Sequence, residues 1–561
     1  MYSRAELESG RLVWLLALQI RGRVYRFATA PVQVANATAS QGPPVMQYLG
    51  GLEFLEYDDT IGLFDSEASA REVSISVLFQ QGQTEGWDAV ADPKRDIGEA
   101  TGELSLYLLG EDYGTREIIV DGYLGSPTHG SRNEPVAFTL SESDWTDRAL
   151  LPPRAASVRK ATWPQTTASG HDMRRDDKAK RQPYPWVFGN PGKYSPGDWW
   201  GKGSGCMPMT PALIVKIDTT DENNITEPAT LLLAGHPIHA AGAVKIYNET
   251  RGRWFTVTPA ITADSQLQAV TTATVTAGGA GATTYIEPGD ALWVAWTVAG
   301  GVPVVEETGP ATGAGDVIEY LLRRSRLRVD TFKARSVLQE VNAFEFDFWF
   351  NEPRAPLDVI KDDLLPHLPI SPQIRHEGLG FCYWNWAATA ADAVDSIDAG
   401  RDLADRLTEV EVSSVDDVYN VIQINYCQDG PEGDFRKRMT YAAKNPTDDP
   451  DIITNPYSFA SWTRYGKREG LEIDCPVVEQ DDTARAILDW KIRYHSVTHR
   501  TVSYQMPQTW QAREVGDVVT VTDASIGWAS VVCLITAIVR VPGSASVTFT
   551  TVGDWPRDLI K

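Results

Sequence analysis

Chemistry in this chain would most readily start from Phe346-Asp347-Phe348-Trp349-Phe350-Asn351-Glu352-Pro353, an apolar run that ends in Asn-Glu-Pro. A glutamate in that setting suits the protonation of a glycosidic oxygen while a second carboxylate about 5 Å away attacks the sugar. Trp384 and Trp386 would supply a stacking platform. Two histidine pairs also have ligand-like spacing. His495 and His499 are four residues apart, as on one face of a zinc-binding helix, but no glutamate stands beside His495. His236 and His239 bracket a turn between apolar strands with no carboxylate cluster beside them. Structural or surface roles are expected for both pairs.

The elements around these residues do not fit the chemistry. An Asn-Glu-Pro acid/base segment, which resembles that of one large group of retaining glycoside hydrolases, needs a barrel of eight βα units with catalytic groups at strand C-termini. The flanking sequence lacks that rhythm, and Pro356-Leu357 begins a helix, so residues 351–356 read as a strand-to-helix connection. The run 277–282 is Gly-rich but has neither the Gly-Lys-Ser/Thr ending nor the following helix of a phosphate loop, and reads as a hairpin tip. No Gly-x-Ser-x-Gly elbow or dinucleotide fingerprint is present. Catalytic, cofactor-binding and metal-binding residues are therefore all expected to be none.

Composition sets the wider limits. A chain of 561 residues needs several cores, and its 18 Trp and 20 Tyr favour sheets and interfaces. The formal charge of −24 opposes a sequence-independent grip on nucleic acid or anionic lipid, which requires clustered Lys and Arg. It suits a surface past which DNA slides without sticking. Five scattered cysteines, Cys206, Cys382, Cys427, Cys475 and Cys533, without a C-x-x-C, read as reduced, buried thiols. The apolar run 12–20 is too short to span a membrane and reads as a strand.

Period-two alternation dominates. Residues 1–150 form a β-domain (Val73, Ile75, Val77; Leu104, Leu106, Leu108), with 87–100 as a short helix. Residues 151–205 are a basic, aromatic, Pro/Gly-rich linker or long loop that holds Arg174, Arg175, Lys178, Lys180 and Arg181, a basic island suited to an acidic neighbouring subunit or to guiding DNA. Residues 206–310 are an inserted β-domain and 311–410 an α+β segment with helices at 317–322, 357–365 and 390–407. Residues 411–561 are a β-domain with one helix, in which Asp481 or Asp482 caps an apolar face of Ala484, Ile487, Leu488 and Ile492. The fold class is mainly β and multidomain, with β-barrel or sandwich modules and a smaller α+β segment.

One set of residues in the last third has an order and spacing of its own: Tyr419-Asn420 opening a strand through Tyr426, then Ser461, Arg464-Tyr465-Gly466 and Arg468, then the helix 483–494, then Gly516-Asp517 ahead of paired strands. This string resembles the hub family of tailed-bacteriophage tail tips and baseplates. The N-terminal β-domain, residues 184–192 and the run from Gly315 to Pro356 resemble it more loosely. The resemblance implies a virion structural protein at the tail tip or baseplate, assembled in the bacterial host cytoplasm. It also implies a homo-oligomer, a trimer, in which two related barrel modules per subunit, 1–150 and 411–561, line the tube. Its implied partners are the distal tail ring, central fibre or receptor-binding proteins and the tape-measure protein, with phage DNA passing unbound. The sequence lacks the cysteine cluster of iron–sulfur relatives and a convincing nucleophile for a peptidase or muramidase, so no catalytic role carries over. Two other readings stay open: a tail-associated glycan hydrolase with Glu352 as acid/base, and a non-catalytic glycan-binding module using Trp199/Trp200 or Trp384/Trp386.

Overall fold

A computed structural model describes residues 12–36, 45–60, 72–79, 87–88, 90, 100–128, 134–142, 151, 173–174, 179, 181–192, 210–218, 229–238, 243–263, 269–275, 286–287, 289–296, 313–325, 329, 331–375, 378–402, 407–430, 433–445, 447–507, 509–510, 513–542 and 544–553. Residues 175–178, Lys180, Trp199, Trp200, Cys206, His239 and 277–282 lie outside them. The protein is mainly β, with several sheets and few helices.

One 15-stranded sheet runs through both ends of the chain. Its order begins at Leu407–Val412 and passes through Arg500–Pro507, Ser544–Thr551 and Trp528–Val541. It continues through Leu52–Thr60, Glu72–Val77, Val136–Glu142, Glu117–Leu124, Thr101–Leu108 and Leu12–Ile20. The join is a backbone ladder in which Ala537 to Arg540 pair antiparallel with Thr60 to Tyr57. Trp528–Val541 can serve both modules because it is long: its first half pairs with Val518–Asp523, and its second half is left with an edge for the N-terminal strand.

Each module buries the inward side of its alternation. Leu16, Leu18, Val73, Ile75, Leu104 and Leu140 lie in one N-terminal core, and Ile214, Leu231, Ile246 and Val294 lie in the core of the inserted domain. The α+β segment and the C-terminal module share a third core, which joins Val317, Leu321 and Phe346 to Ile424, Ile487 and Phe549.

Residues 184–192, all buried but Asn190, run between two of these cores. The strand Trp186–Phe188 pairs with Phe348–Phe350, so that Trp186, Phe188, Phe348 and Phe350 face the shared core while Val187 and Trp349 face the inserted domain. Period-two geometry makes this two-stranded ribbon a wall with an apolar group on both sides. Its end is held by Asn190 N–H donating to Asp347 Oδ1 at 2.6 Å and Gly192 N–H donating to Glu479 Oε1 at 2.5 Å. Gly189 sits at φ +64°, and a Cβ there would overlap the Phe346 carbonyl oxygen and the Asp347 carboxylate. Gly189→Ala is expected to cost about 3 kcal/mol or more in urea unfolding. An unchanged midpoint would show that the wall tolerates a shift.

Three expectations need correction. A helix over 390–407 does not form: Ala390–Asp392 is a single 3-10 turn, Asp395–Asp398 is a strand parallel to Val518–Asp523, and Leu407–Val412 is a strand on Arg500–Pro507. Pairing with an available sheet edge overrides the alanine-rich propensity there. Asp481 and Asp482 lie in the first turn of the helix Asp481–His495, whose N-cap position is Gln480. Among the cysteines, Cys382, Cys475 and Cys533 are buried and free, but Cys427 is disulfide-bonded rather than reduced.

Candidate functional site

The residues singled out near the C-terminus assemble around Asn420, which is fully buried. The Asn420 amide donates to Ser461 Oγ at 3.1 Å and to the Gly466 carbonyl at 2.8 Å, while its Oδ1 accepts from the Arg468 N–H at 2.9 Å. Its own N–H donates to the Arg468 carbonyl at 2.8 Å. Three elements converge on this one side chain: the strand Val421–Gln428, the helix Pro456–Tyr465 and the strand Glu469–Cys475. That helix has clear sequence signals, although its span was not read as one. Asn455 caps it by accepting from the N–H groups of Tyr457 and Ser458, Pro456 opens it, and Gly466 at φ +77° closes it.

The remaining members lock this junction to the long helix. Tyr419 N–H donates to the His495 carbonyl at 2.7 Å, and the Tyr465 hydroxyl lies 3.1 Å from Thr498 Oγ1. The Tyr426 hydroxyl donates to Asp481 Oδ1 at 3.0 Å, where Lys437 also pairs at 2.8 Å. Burial, and next the Asp481 carboxylate, push the Tyr426 phenol up. Arg468 reaches Asp416 at 3.5 Å, and the Arg464 guanidinium lies 5.2 Å from the Tyr465 ring centroid. Gly516-Asp517 is a separate turn. Gly516 N–H donates to the Ile535 carbonyl at 2.8 Å, Asp517 Oδ2 accepts from Glu514 N–H at 3.1 Å, and a Cβ on Gly516 would lie 2.6 Å from Cys382 Sγ. These contacts position backbone; none of them presents a reactive group to a substrate.

The catalytic candidates are placed differently. Glu352 is exposed on the connection between Phe348–Phe350 and Pro356–Val359, while Trp384 and Trp386 are in the core, 1% and 5% exposed, and offer no open stacking face. His236 Nε2 accepts from Val187 N–H at 3.1 Å and its Nδ1 donates to the Pro237 carbonyl at 2.9 Å, which fixes the neutral tautomer in the wall beside Trp186. Both ring nitrogens of His499 lie within hydrogen-bonding distance of backbone carbonyls, Thr551 at 2.8 Å and Tyr494 at 2.9 Å, and Tyr494 stacks on the ring. Among the described residues no group of three His, Cys, Asp or Glu side chains could hold a metal ion. No helix among them is long and apolar enough to cross a membrane.

One face of the joined sheet is a continuous feature across many strands. Glu409 and Glu411 stand opposite Ser503 and Thr501, which stand opposite Thr548 and Thr550. Thr548 and Ser546 then face Ala537 and Val539, which pair with the N-terminal positions 60 and 58. The row continues through Glu56, Ser74, Thr139, Ser141 and Tyr123. Hydroxyl pairs tie it together, Ser503 with Thr548 at 2.9 Å and Thr501 with Thr550 at 3.3 Å. The opposite face carries the cores through Val502, Phe549, Leu55, Ile75 and Phe138. Across the strands from Leu407–Val412 to Leu12–Ile20 the only cationic residues are Arg500 and Arg540. Register places both on the other face, opposite Val412 and Ala545.

No curated protein matches the chain. The chain is similar to a tail protein from Neisseria meningitidis (10% identity, 97% of this chain and 99% of that one, TM-score 0.34). It is also similar to the 43 kDa tail protein of prophage MuSo2 from Shewanella oneidensis (10% identity, 98% and 100%, TM-score 0.34). A third likeness is to prophage tail protein gp18 from Listeria monocytogenes (9% identity, 93% and 94%, TM-score 0.32). Residues 385–538, which hold the Asn420 junction and the Gly516-Asp517 turn, match the family Phage-tail_3, described as "Putative phage tail protein". That region of the chain is similar to this family.

Proposed function

We propose that this phage tail protein is the hub of a siphophage-type tail tip or baseplate. In this reading it closes the tail tube, joins the distal tail ring to central fibre or receptor-binding proteins, and opens for DNA. The observation that carries the reading is the polar face shared by both modules. From Leu407–Val412 to Val136–Glu142 the strands of this face present serine, threonine and glutamate and place no Lys or Arg on it, so that stretch offers phosphates neither counterion replacement nor a fixed cation, and DNA passes it without being held. Two β-modules joined edge to edge in each subunit also give a ring of three subunits six wall segments. The hub works in this reading without catalysis. The exposed position of Glu352 and the burial of Trp384 and Trp386 favour that over glycan hydrolysis or glycan stacking.

Gold-labelled antibodies against the chain, viewed on intact particles, test the position: label is expected at the distal tip, and label along the shaft or on the capsid overturns the hub reading. The face itself is tested by Thr548→Lys, a half-buried position. Particles are expected to assemble normally while DNA ejection slows, with infectivity lower on the order of tenfold, because each added cation offers the passing phosphates a contact. Normal ejection kinetics would remove this face from the DNA path.

A further inference from the structure

Among the described residues the strand Leu407–Val412 ends the large sheet, with its backbone paired to Arg500–Pro507 and to no other strand. Residues 408–412 are all exposed, including Val410 at 46% and Val412 at 59%. An open edge with bare valines is a ready template for another strand. Beside it is a cavity of about 210 Å³ walled by Val410, Val412, Ile526 and Trp528 and flanked by Arg464 and Arg500. Two guanidinium groups at a pocket of mixed polar and apolar lining suit a carboxylate carried on an extended peptide.

The same module has a second sheet edge whose exposed side is acidic and so complements the two arginines at this pocket. Glu469–Cys475 ends the four-stranded sheet and exposes Glu469, Glu472 and Asp474, while Leu471 and Ile473 on its other side pack against the core. Glu472 stands opposite Gln423 in the ladder, and among the described residues it has no ion pair. Resting on the hub reading, we infer that Glu469–Cys475 of one copy adds to Leu407–Val412 of the next, placing Glu472 beside Arg464 and Arg500.

Strand alternation makes the two edges compatible. When sheets join edge to edge their faces continue, and in the arrangement we infer the side carrying Glu472 and Asp474 continues the side carrying Val410, Val412 and Arg500. Glu409 and Glu411, on the reverse side, then neighbour Leu471 and Ile473 rather than another carboxylate. The contact uses two different surfaces, which is the head-to-tail arrangement that closes into rings.

A charge swap in the full-length protein tests this. Sedimentation of wild type at low ionic strength is expected to show a closed oligomer. Arg500→Glu or Glu472→Arg alone is expected to weaken it at least tenfold, and the two together to restore it to within about threefold. Arg500→Gln, with an unchanged circular dichroism spectrum, separates loss of the contact from loss of the fold. Oligomers indifferent to the single changes, no recovery in the swap, or a wild type that stays monomeric at all concentrations would overturn the contact. Tip labelling that persists in particles carrying Arg500→Glu would overturn the contact and leave the hub reading standing, whereas label away from the tip in wild type removes the hub reading itself.

Discussion

Asn420→Ala is expected to cost about 3–5 kcal/mol and to loosen the C-terminal module before the rest of the chain. The side chain is fully buried and serves three groups at once, Ser461 Oγ, the Gly466 carbonyl and the Arg468 N–H. Alanine leaves the carbonyl and the N–H without their partner, and each unmade bond at a buried site costs about 1–3 kcal/mol. Asn420→Asp should be nearly as harmful, because it sets a carboxylate oxygen against the Gly466 carbonyl where an N–H had donated. Hydrogen exchange is the direct reading: amides of Pro456–Tyr465 and Glu469–Cys475 should lose protection together, since both elements hang on one residue. Loss confined to either element, or a cost below about 1 kcal/mol, would show that the junction is held by its apolar contacts instead.

Acid should unfold the protein through its buried histidines well before its carboxylates titrate. Burial lowers His236 to about 4, and the backbone geometry agrees, since protonation at Nε2 would set an N–H against the N–H of Val187. His367 is also lowered to about 4, by burial and then by Lys491. His495 falls to about 3, through burial with Lys491 and His499 nearby. A histidine whose folded pKa lies below its unfolded value near 6.5 takes up protons on unfolding. Stability is therefore full above about pH 6.5 and declines as the pH falls toward 4, by about 3 kcal/mol for each fully buried ring. The measurement is the urea midpoint at pH 7.5 and at pH 4.5 under constant salt. In His236→Gln, whose amide oxygen can still accept from Val187, the pH dependence should be shallower. Equal midpoints at the two pH values would show that these rings titrate normally in the folded protein.

Both predictions rest on polar groups whose partners are distant in sequence, and this marks where sequence reading succeeds and where it stops. The strands were legible from alternation because one side of each is buried, as in Val73, Ile75 and Val77, or Ile422 and Ile424. The helices Ala314–Arg324 and Asp481–His495 were legible from apolar spacing. The segment 390–407 was misread because alanine and leucine favour a helix locally, and the competing sheet edge of Val518–Asp523 is more than a hundred residues away in the chain. The helix Pro456–Tyr465 is bracketed by Asn455, Pro456 and Gly466 but lacks a strong apolar stripe, so its signal lies in its caps rather than in its spacing.

By itself, the sequence determined the mainly β class and a C-terminal stretch similar to a phage tail family, since these depend on local period, turn chemistry and residue order. It also determined the excess of acidic over basic residues. Only the tertiary structure decided which surfaces present that excess. The pairing of Trp528–Val541 with Leu52–Thr60 merges the two modules and turns their solvent sides into one polar face. It also decided that Trp186–Phe188 is a wall between two cores and that Asn420 is the pin of a junction. Pairing, burial and hydrogen-bond satisfaction are relations between distant residues, and no local pattern encodes which partners will meet.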